Sequence, residues 1–179
     1  MVIDIRELDA DVEIVVPTAA DMRDLGRRLA SVLRRGDLVV LTGPLGSGKT
    51  TFVQGLGAGL GVRGEITSPT FVIARVHPSL TDGPALVHAD AYRLGGRLEV
   101  DDLDLDASLA DAVTVVEWGE GLVEGLAEDR LRVVIERDDG TNPDPTRVAD
   151  EPRRVRVFGE GPRWQGVTLA AALRNADSR

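Results

Sequence analysis

The sequence holds no cysteine, which excludes disulfides, thiolate-bound zinc, iron–sulfur clusters and thiol catalysis. Histidine occurs only at His77 and His88, too rarely for a histidine-rich metal site. No apolar run approaches the roughly 20 residues that span a bilayer. The first residues, Met1 to Glu7, have neither the basic segment nor the long apolar stretch of a secretion signal. A cytoplasmic protein with no membrane attachment is expected. Basic charge is scarce as well: 21 basic residues stand against 30 acidic ones, for a net charge of −9. A protein that grips nucleic acid through phosphates needs a basic surface. Strong direct nucleic-acid binding is therefore not expected, and a basic protein partner fits the balance better. Lysine is nearly missing: of the 21 basic residues, only Lys49 is one. A compact charge on a flexible stem is kept where the wide planar guanidinium is unacceptable.

What remains is an ordinary globular composition, 42% hydrophobic and 28% charged, over 179 residues. That length predicts a single domain over 1–179. The alternation from Val12 to Val16, closed by Pro17, reads as extended chain. Thr18 and Asp21 have capping-box spacing. They open a helix with Met22, Leu25, Leu29, Val32 and Leu33 on one face and Gly36 as its stop. Leu38 to Thr42 reads as a buried strand, and a second helix runs from near Lys49 to Gly61. Its Gly55, Gly57 and Gly59 either weaken it or permit close packing. Residues 70–76 and 85–91 read as a hairpin, because turn-forming residues join them. Short helical pieces are expected over 97–111, and buried strands at 113–116 and 131–135. Residues 138–152, rich in proline and acid, read as a surface loop. Residues 153–179 are expected to add a peripheral strand and helix.

Gly43-Pro44-Leu45-Gly46-Ser47-Gly48-Lys49-Thr50 fills every fixed position of G-x-x-x-x-G-K-[ST], after a buried strand and before a helix. Chance would give this match about once in a thousand such chains. The glycines let the backbone wrap into an anion nest at a helix N-terminus. In such a loop Gly46, Ser47 and Gly48 cradle phosphate and Lys49 reaches the β- and γ-phosphates. The Thr50 hydroxyl holds magnesium, and Thr51 adds a hydroxyl near the α-phosphate. ATP and magnesium are thus the expected ligands. The expected fold is α/β, a P-loop NTPase-like three-layer α/β/α arrangement whose mixed sheet contains an antiparallel hairpin.

Such a site also needs a carboxylate at a neighbouring strand end for the metal, and a group to orient the attacking water. Asp90 follows Leu86 to Ala89, and Glu117 directly follows Val113 to Val116. Both are candidates, catalytic together with Lys49; the bland reading of each is a solvated strand cap. Ser68-Pro69-Thr70 reads equally as a γ-phosphate-sensing loop or a locally bonded turn. Trp118 reads as core packing ahead of a partner-facing or nucleotide-adjacent surface, His88 as structural ahead of catalytic, and Arg93 as a surface ion pair ahead of a charge for the transition state. Guanine readers use an N-K-x-D segment, which needs a second lysine. Asp90-Ala91-Tyr92-Arg93 also lacks the glycine of a D-x-x-G switch, so GTP specificity by that route is excluded.

Gly43 to Thr51, Ser68-Pro69-Thr70-Phe71, His88-Ala89-Asp90-Ala91-Tyr92-Arg93-Leu94 and Glu117-Trp118 together resemble the bacterial TsaE (YjeE) family. The resemblance covers roughly residues 13–137; the P-loop alone is widely shared, but the ordered set is far more specific. It implies a small ATPase needed to make threonylcarbamoyladenosine in tRNA, acting with the transferase TsaD and its companion TsaB. It implies that Lys49 contacts phosphate and Thr50 binds magnesium. Asp90 becomes a Walker-B-like acid and Glu117 a magnesium-associated or water-activating acid. Thr18 is implied as an adenine contact, with Arg137 a further candidate. Ala89 and Ala91 stand where family members often carry an aromatic residue and leucine, removing bulk near Asp90. A small-molecule P-loop kinase is one alternative, although its lid would have to come from the mostly acidic 93–111. A nucleotide-gated adaptor with incidental hydrolysis is another.

Overall fold

A computed structural model describes residues 5–8, 11–69, 74–91, 109–118, 121, 125, 127–137 and 151–174. In chain order the elements are β1 (Ile5–Leu8), β2 (Asp11–Val16), α1 (Ala19–Ala30), β3 (Leu38–Thr42), α2 (Lys49–Leu60), β4 (Ala74–His77) and β5 (Ala85–Asp90). They continue with β6 (Ala112–Glu117), β7 (Arg130–Arg137), β8 (Arg153–Glu160), a 3-10 turn (Pro162–Trp164) and α3 (Leu169–Leu173). The strands form one sheet in the order β1-β2-β8-β7-β3-β6-β5-β4. Its centre, β7-β3-β6-β5, is parallel, and its flanks are antiparallel. The mixed α/β architecture and the β4–β5 hairpin match the expected fold, while of the expected helical layers the described helices α1, α2 and α3 supply one, on a single face of the sheet. Residues 70–73, the helical pieces over 97–108 and the loop over 138–150 lie outside the described residues.

One expectation needs correction. The strand of the C-terminal segment is not peripheral: β8 lies inside the sheet, antiparallel to both β2 and β7. The reason is its alternation. Val155 and Val157 point into the same core as Val12, Ile14 and Val16 of β2 and Leu131, Val133 and Ile135 of β7. A strand with one apolar face is best buried between two others that share that face.

That face packs on α1 and α2 in a single large aliphatic cluster, into which Phe52, Leu25 and Leu29 are fully sunk. The second face carries a smaller cluster built on Leu38, Val40, Val87, Val116 and Leu109. Ala89 and Ala91 belong to this second cluster. The bulk they lack is therefore missing from the far side of the sheet, not from beside Asp90.

The capping box at α1 is complete: the Asp21 N–H donates to Thr18 Oγ1 at 3.2 Å and the Thr18 N–H to Asp21 Oδ2 at 3.1 Å. The helix proper ends at Ala30, short of Gly36. The Val32 and Leu33 N–H groups then bond to the Leu29 and Ala30 carbonyls, which keeps both side chains on the buried face. The glycines of α2 serve close packing. A Cβ at Gly55 would overlap the Arg23 carbonyl of α1, and one at Gly59 would come within 2.7 Å of the Arg27 carbonyl oxygen. Gly26 of α1 faces Phe52 in the same way. Since these neighbours are backbone, they cannot rotate aside. Gly55→Ala is expected to destabilise the protein by about 1–3 kcal/mol through overpacking. Urea denaturation should show a lowered midpoint at unchanged slope.

His77 on β4 is buried, with Nδ1 3.3 Å from the Arg63 carbonyl oxygen and Nε2 without a partner among the described residues. Burial lowers its pKa below the ordinary 6.5, helped by His88 and Arg75, while the Arg63 carbonyl works in the opposite sense. Below 6.5 the unfolded chain therefore binds the proton more readily than the folded one. The stability contributed by neutral His77 is complete above 6.5 and is lost as pH falls from there through the lower folded value. In His77→Gln this part of the pH dependence of thermal unfolding should vanish.

Candidate functional site

Strand β3 leaves the middle of the sheet at the Gly43–Thr50 loop, and α2 starts from it. Gly46 and Gly48 take φ values of +74° and +105°, in a region that side chains rarely enter. These two left-handed residues curl the loop around Ser47. Ser47 is fully buried; its N–H bonds to the Pro44 carbonyl at 3.1 Å. Its hydroxyl has no partner among the described residues. A Cβ at Gly43 would come 2.6 Å from that hydroxyl and 2.7 Å from the Ile135 carbonyl oxygen.

Lys49 opens α2 and is buried. Its Nζ donates to the Gly43 and Pro44 carbonyls at 2.7 and 3.0 Å and sits 4.7 Å from the centre of the Trp118 ring. The reading of Trp118 as core packing is thereby corrected. The residue is only partly buried, and its ring lies against the lysine. Trp118 also has φ of +58°, with its N–H bonded to the Leu41 carbonyl at 3.2 Å. A bulky residue held there stores strain that the surrounding structure must maintain.

The parallel register of β5 and β6 sets Asp90 directly beside Glu117, both 3% exposed. By alternation both share the face of Leu86, Val113 and Val115, which packs toward α2. Burial lowers the pKa of Lys49 from its ordinary 10.5, while Glu117 and Asp90 partly counter that by favouring the charged ammonium. The lysine and the two acids thus form one electrostatic cluster. Glu117 Oε1 lies 2.8 Å from Nε2 of His88, itself fully buried. His88 and Glu117 form a buried hydrogen-bonded pair that spans β5 and β6.

A cleft opens beside the loop, lined by Thr18, Ala19 and Met22 of α1, by Gly46, Ser47, Gly48 and Thr51, and by Glu151 and Arg153. Thr18 reaches it with its hydroxyl engaged by Asp21 in the cap. Thr50 is half-buried in the first turn of α2. Arg137, exposed at the end of β7, approaches the loop at Gly46: its Nη2 is 3.1 Å from where a Cβ there would sit. It is not among the residues lining the cleft. Ser68 is exposed, whereas Thr70, Phe71 and residues 92–94 lie outside the described residues. Sequence reasoning missed Glu151 and Arg153. They belong to no motif, and only the insertion of β8 brings them to the loop.

Asp90, Glu117 and Thr50 offer oxygen donors alone, the set a hard cation such as magnesium prefers. Among the described residues no group of three or more His, Asp or Glu is placed to hold a metal by itself.

A central parallel strand running through a glycine-rich loop into a helix, flanked by two acids at adjacent strand ends, defines an α/β protein of the P-loop-like class. The comparisons narrow this. Residues 16–147 match the family model described as threonylcarbamoyl adenosine biosynthesis protein TsaE. A tRNA threonylcarbamoyladenosine biosynthesis protein TsaE of Streptomyces coelicolor is 67% identical over 144 residues, 80% of this chain and 93% of that one. The protein of the same description from Bacillus subtilis is 33% identical, over 81% and 84% of the two chains. The crystal structure of Bacillus subtilis YdiB superposes with a TM-score of 0.67 at 26% identity, covering 97% of this chain and 96% of that one. The chain belongs to the TsaE family, whose role lies in tRNA threonylcarbamoyladenosine biosynthesis. Among the described residues no helix is long and apolar enough to cross a membrane.

Proposed function

We propose that this protein is a magnesium-dependent ATPase that supports threonylcarbamoyladenosine modification of tRNA by acting on the TsaB–TsaD complex. The observation that carries this reading is the gathering of the chain's single lysine with Asp90 and Glu117 at the mouth of the loop. ATP binding exchanges the Lys49 bonds to Gly43 and Pro44 for bonds to the β- and γ-phosphates. Gly46, Ser47 and Gly48 supply backbone to the phosphates, with Thr51 beside them. Thr18 flanks the adenine end of the cleft, and Arg137 adds charge above Gly46. Thr50, Asp90 and Glu117 are the residues that would hold magnesium, which when bound supplies positive charge to the β- and γ-phosphates. Glu117, fixed by His88, orients the attacking water. Catalysis is then positioning and electrostatics in a site of buried groups.

The test is magnesium-dependent ATP turnover by the protein alone and with TsaB–TsaD from the same organism. A basal rate of roughly 10⁻³ to 10⁻² per second that rises when the pair is added is expected, by analogy with unassisted P-loop GTPases. An unchanged rate with intact ATP binding would overturn the partner assignment. Glu117→Gln should keep ATP binding and lose turnover. If tRNA modification persisted in that variant, hydrolysis would be dispensable and the adaptor reading would take its place.

A further inference from the structure

We infer that Arg153 is a positioning residue for the phosphate loop, holding it in the wrapped form that receives phosphate; this rests on the reading of residues 43–51 as a nucleotide site. Strand β8 delivers Arg153 between Val16 of β2 and Arg137 of β7. Its side chain is 14% exposed. Nε donates to the Ser47 carbonyl at 3.2 Å and Nη2 reaches the Gly46 carbonyl at 3.5 Å. Nη1 donates to the Glu151 carbonyl at 3.1 Å and lies 3.5 Å from the Glu151 carboxylate. The guanidinium is thus tied on one side to Glu151, just ahead of β8, and on the other to the loop.

The two carbonyls it holds belong to the curled segment between the left-handed glycines 46 and 48. A peptide is planar and trans, so its N–H points opposite to its C=O. Anchoring the Ser47 carbonyl on Arg153 therefore turns the Gly48 N–H away from the arginine, while the Ser47 N–H is held by the Pro44 carbonyl. The planar guanidinium presents its donors in a fixed fork, so the two carbonyls are held in one set orientation, which a freely rotating ammonium does not impose. A second observation points the same way. Arg153 stands directly opposite Arg137 in the β7–β8 register, and Arg137 reaches the same Gly46. Like charges directly opposite are unfavourable in a sheet. Here they flank a loop whose expected ligand is an anion that relieves them. Arg153 lies beyond residue 147, where the match to the family model ends.

Hydrogen exchange of the amides of residues 46–50, measured without nucleotide, tests this directly. In Arg153→Ala these amides should exchange about tenfold faster or more, the scale set by losing a charged hydrogen bond. The amides of β3 and α1 should keep their protection. Calorimetry should show the Kd for ADP and for tripolyphosphate each raised about tenfold, with part of the loss recovered in Arg153→Lys. Unchanged loop exchange would overturn the inference. So would acceleration spread evenly over β2, β7 and β8, which marks a merely structural arginine. Should Arg153→Ala not fold, Arg153→Gln, which keeps most of the stem, is read by the same criteria. Wild-type protein that binds neither ADP nor tripolyphosphate would overturn the nucleotide reading instead, and the exchange result stands apart from it because it needs no ligand.

Discussion

Lys49→Ala is expected to lower affinity for ATP by about 100-fold or more, equivalent to about 3 kcal/mol of charge-assisted bonding to phosphate. Turnover should fall below detection. The lysine is buried, lies against Trp118 and donates to two loop carbonyls that ATP is expected to replace. Its burial already opposes the ammonium, which is why its pKa is lowered. Removing the charge therefore relieves a desolvation cost, and folding should be largely preserved while binding is lost. Lys49→Arg is expected to fail as well, because a wide planar guanidinium replaces the compact ammonium that the Gly43 and Pro44 carbonyls and the Trp118 ring surround. Isothermal titration with ATP, paired with thermal unfolding of the free protein, separates the two effects. A Lys49→Ala protein that binds ATP at wild-type affinity would remove the loop from the site.

Arg163→Ala is expected to cost about 3–5 kcal/mol of stability, the usual result of stranding one member of a buried ion pair. Arg163 donates through Nε and Nη2 to the two oxygens of Asp37 at 3.2 and 3.0 Å, and through Nη2 to the Val32 carbonyl at 2.8 Å. The two side chains are 10% and 5% exposed. The guanidinium also stacks 4.1 Å from the centre of the Trp164 ring. These contacts tie the segment after β8 to the turn between α1 and β3. Asp37 also accepts the Arg34 N–H at 2.8 Å and would be left buried and charged. Against a typical total of about 5–15 kcal/mol, such a loss removes much of the stability. Chemical denaturation of Arg163→Ala, Asp37→Asn and the double variant tests the mechanism. The double variant should be less destabilised than the sum of the single ones, since the cost lies in the unpaired charge. Strict additivity would show that the pair is not coupled.

The two sites differ in how readable they are. The Gly43–Thr50 loop is legible in the sequence because all its parts are contiguous. A strand, two left-handed glycines, a lysine and a hydroxyl follow one another within the stretch from Leu38 to Thr50. The capping box from Thr18 to Asp21 is local in the same sense, and so are the apolar alternations that mark β2, β7 and β8. Asp90 and Glu117 could be picked as strand-end acids, and their place near the loop follows once β6 lies parallel beside β3 and β5 beside β6.

The order of the strands is another matter. Whether β8 lies outside the sheet or between β2 and β7 depends on which apolar faces find one another, not on any local pattern. Arg153 and Arg163 could therefore not be told from the other arginines of the chain. The same holds for the bond between His88 and Glu117, and for the glycines of α2, where only the partner helix decides between weakness and close approach. Residue type and short-range spacing determined the chemistry this protein can carry: one lysine on a phosphate loop, hard oxygen donors nearby and no thiol. The tertiary structure decided which distant residues hold that chemistry in place, because strand register and helix contact are settled by burying shared faces over long separations in the chain.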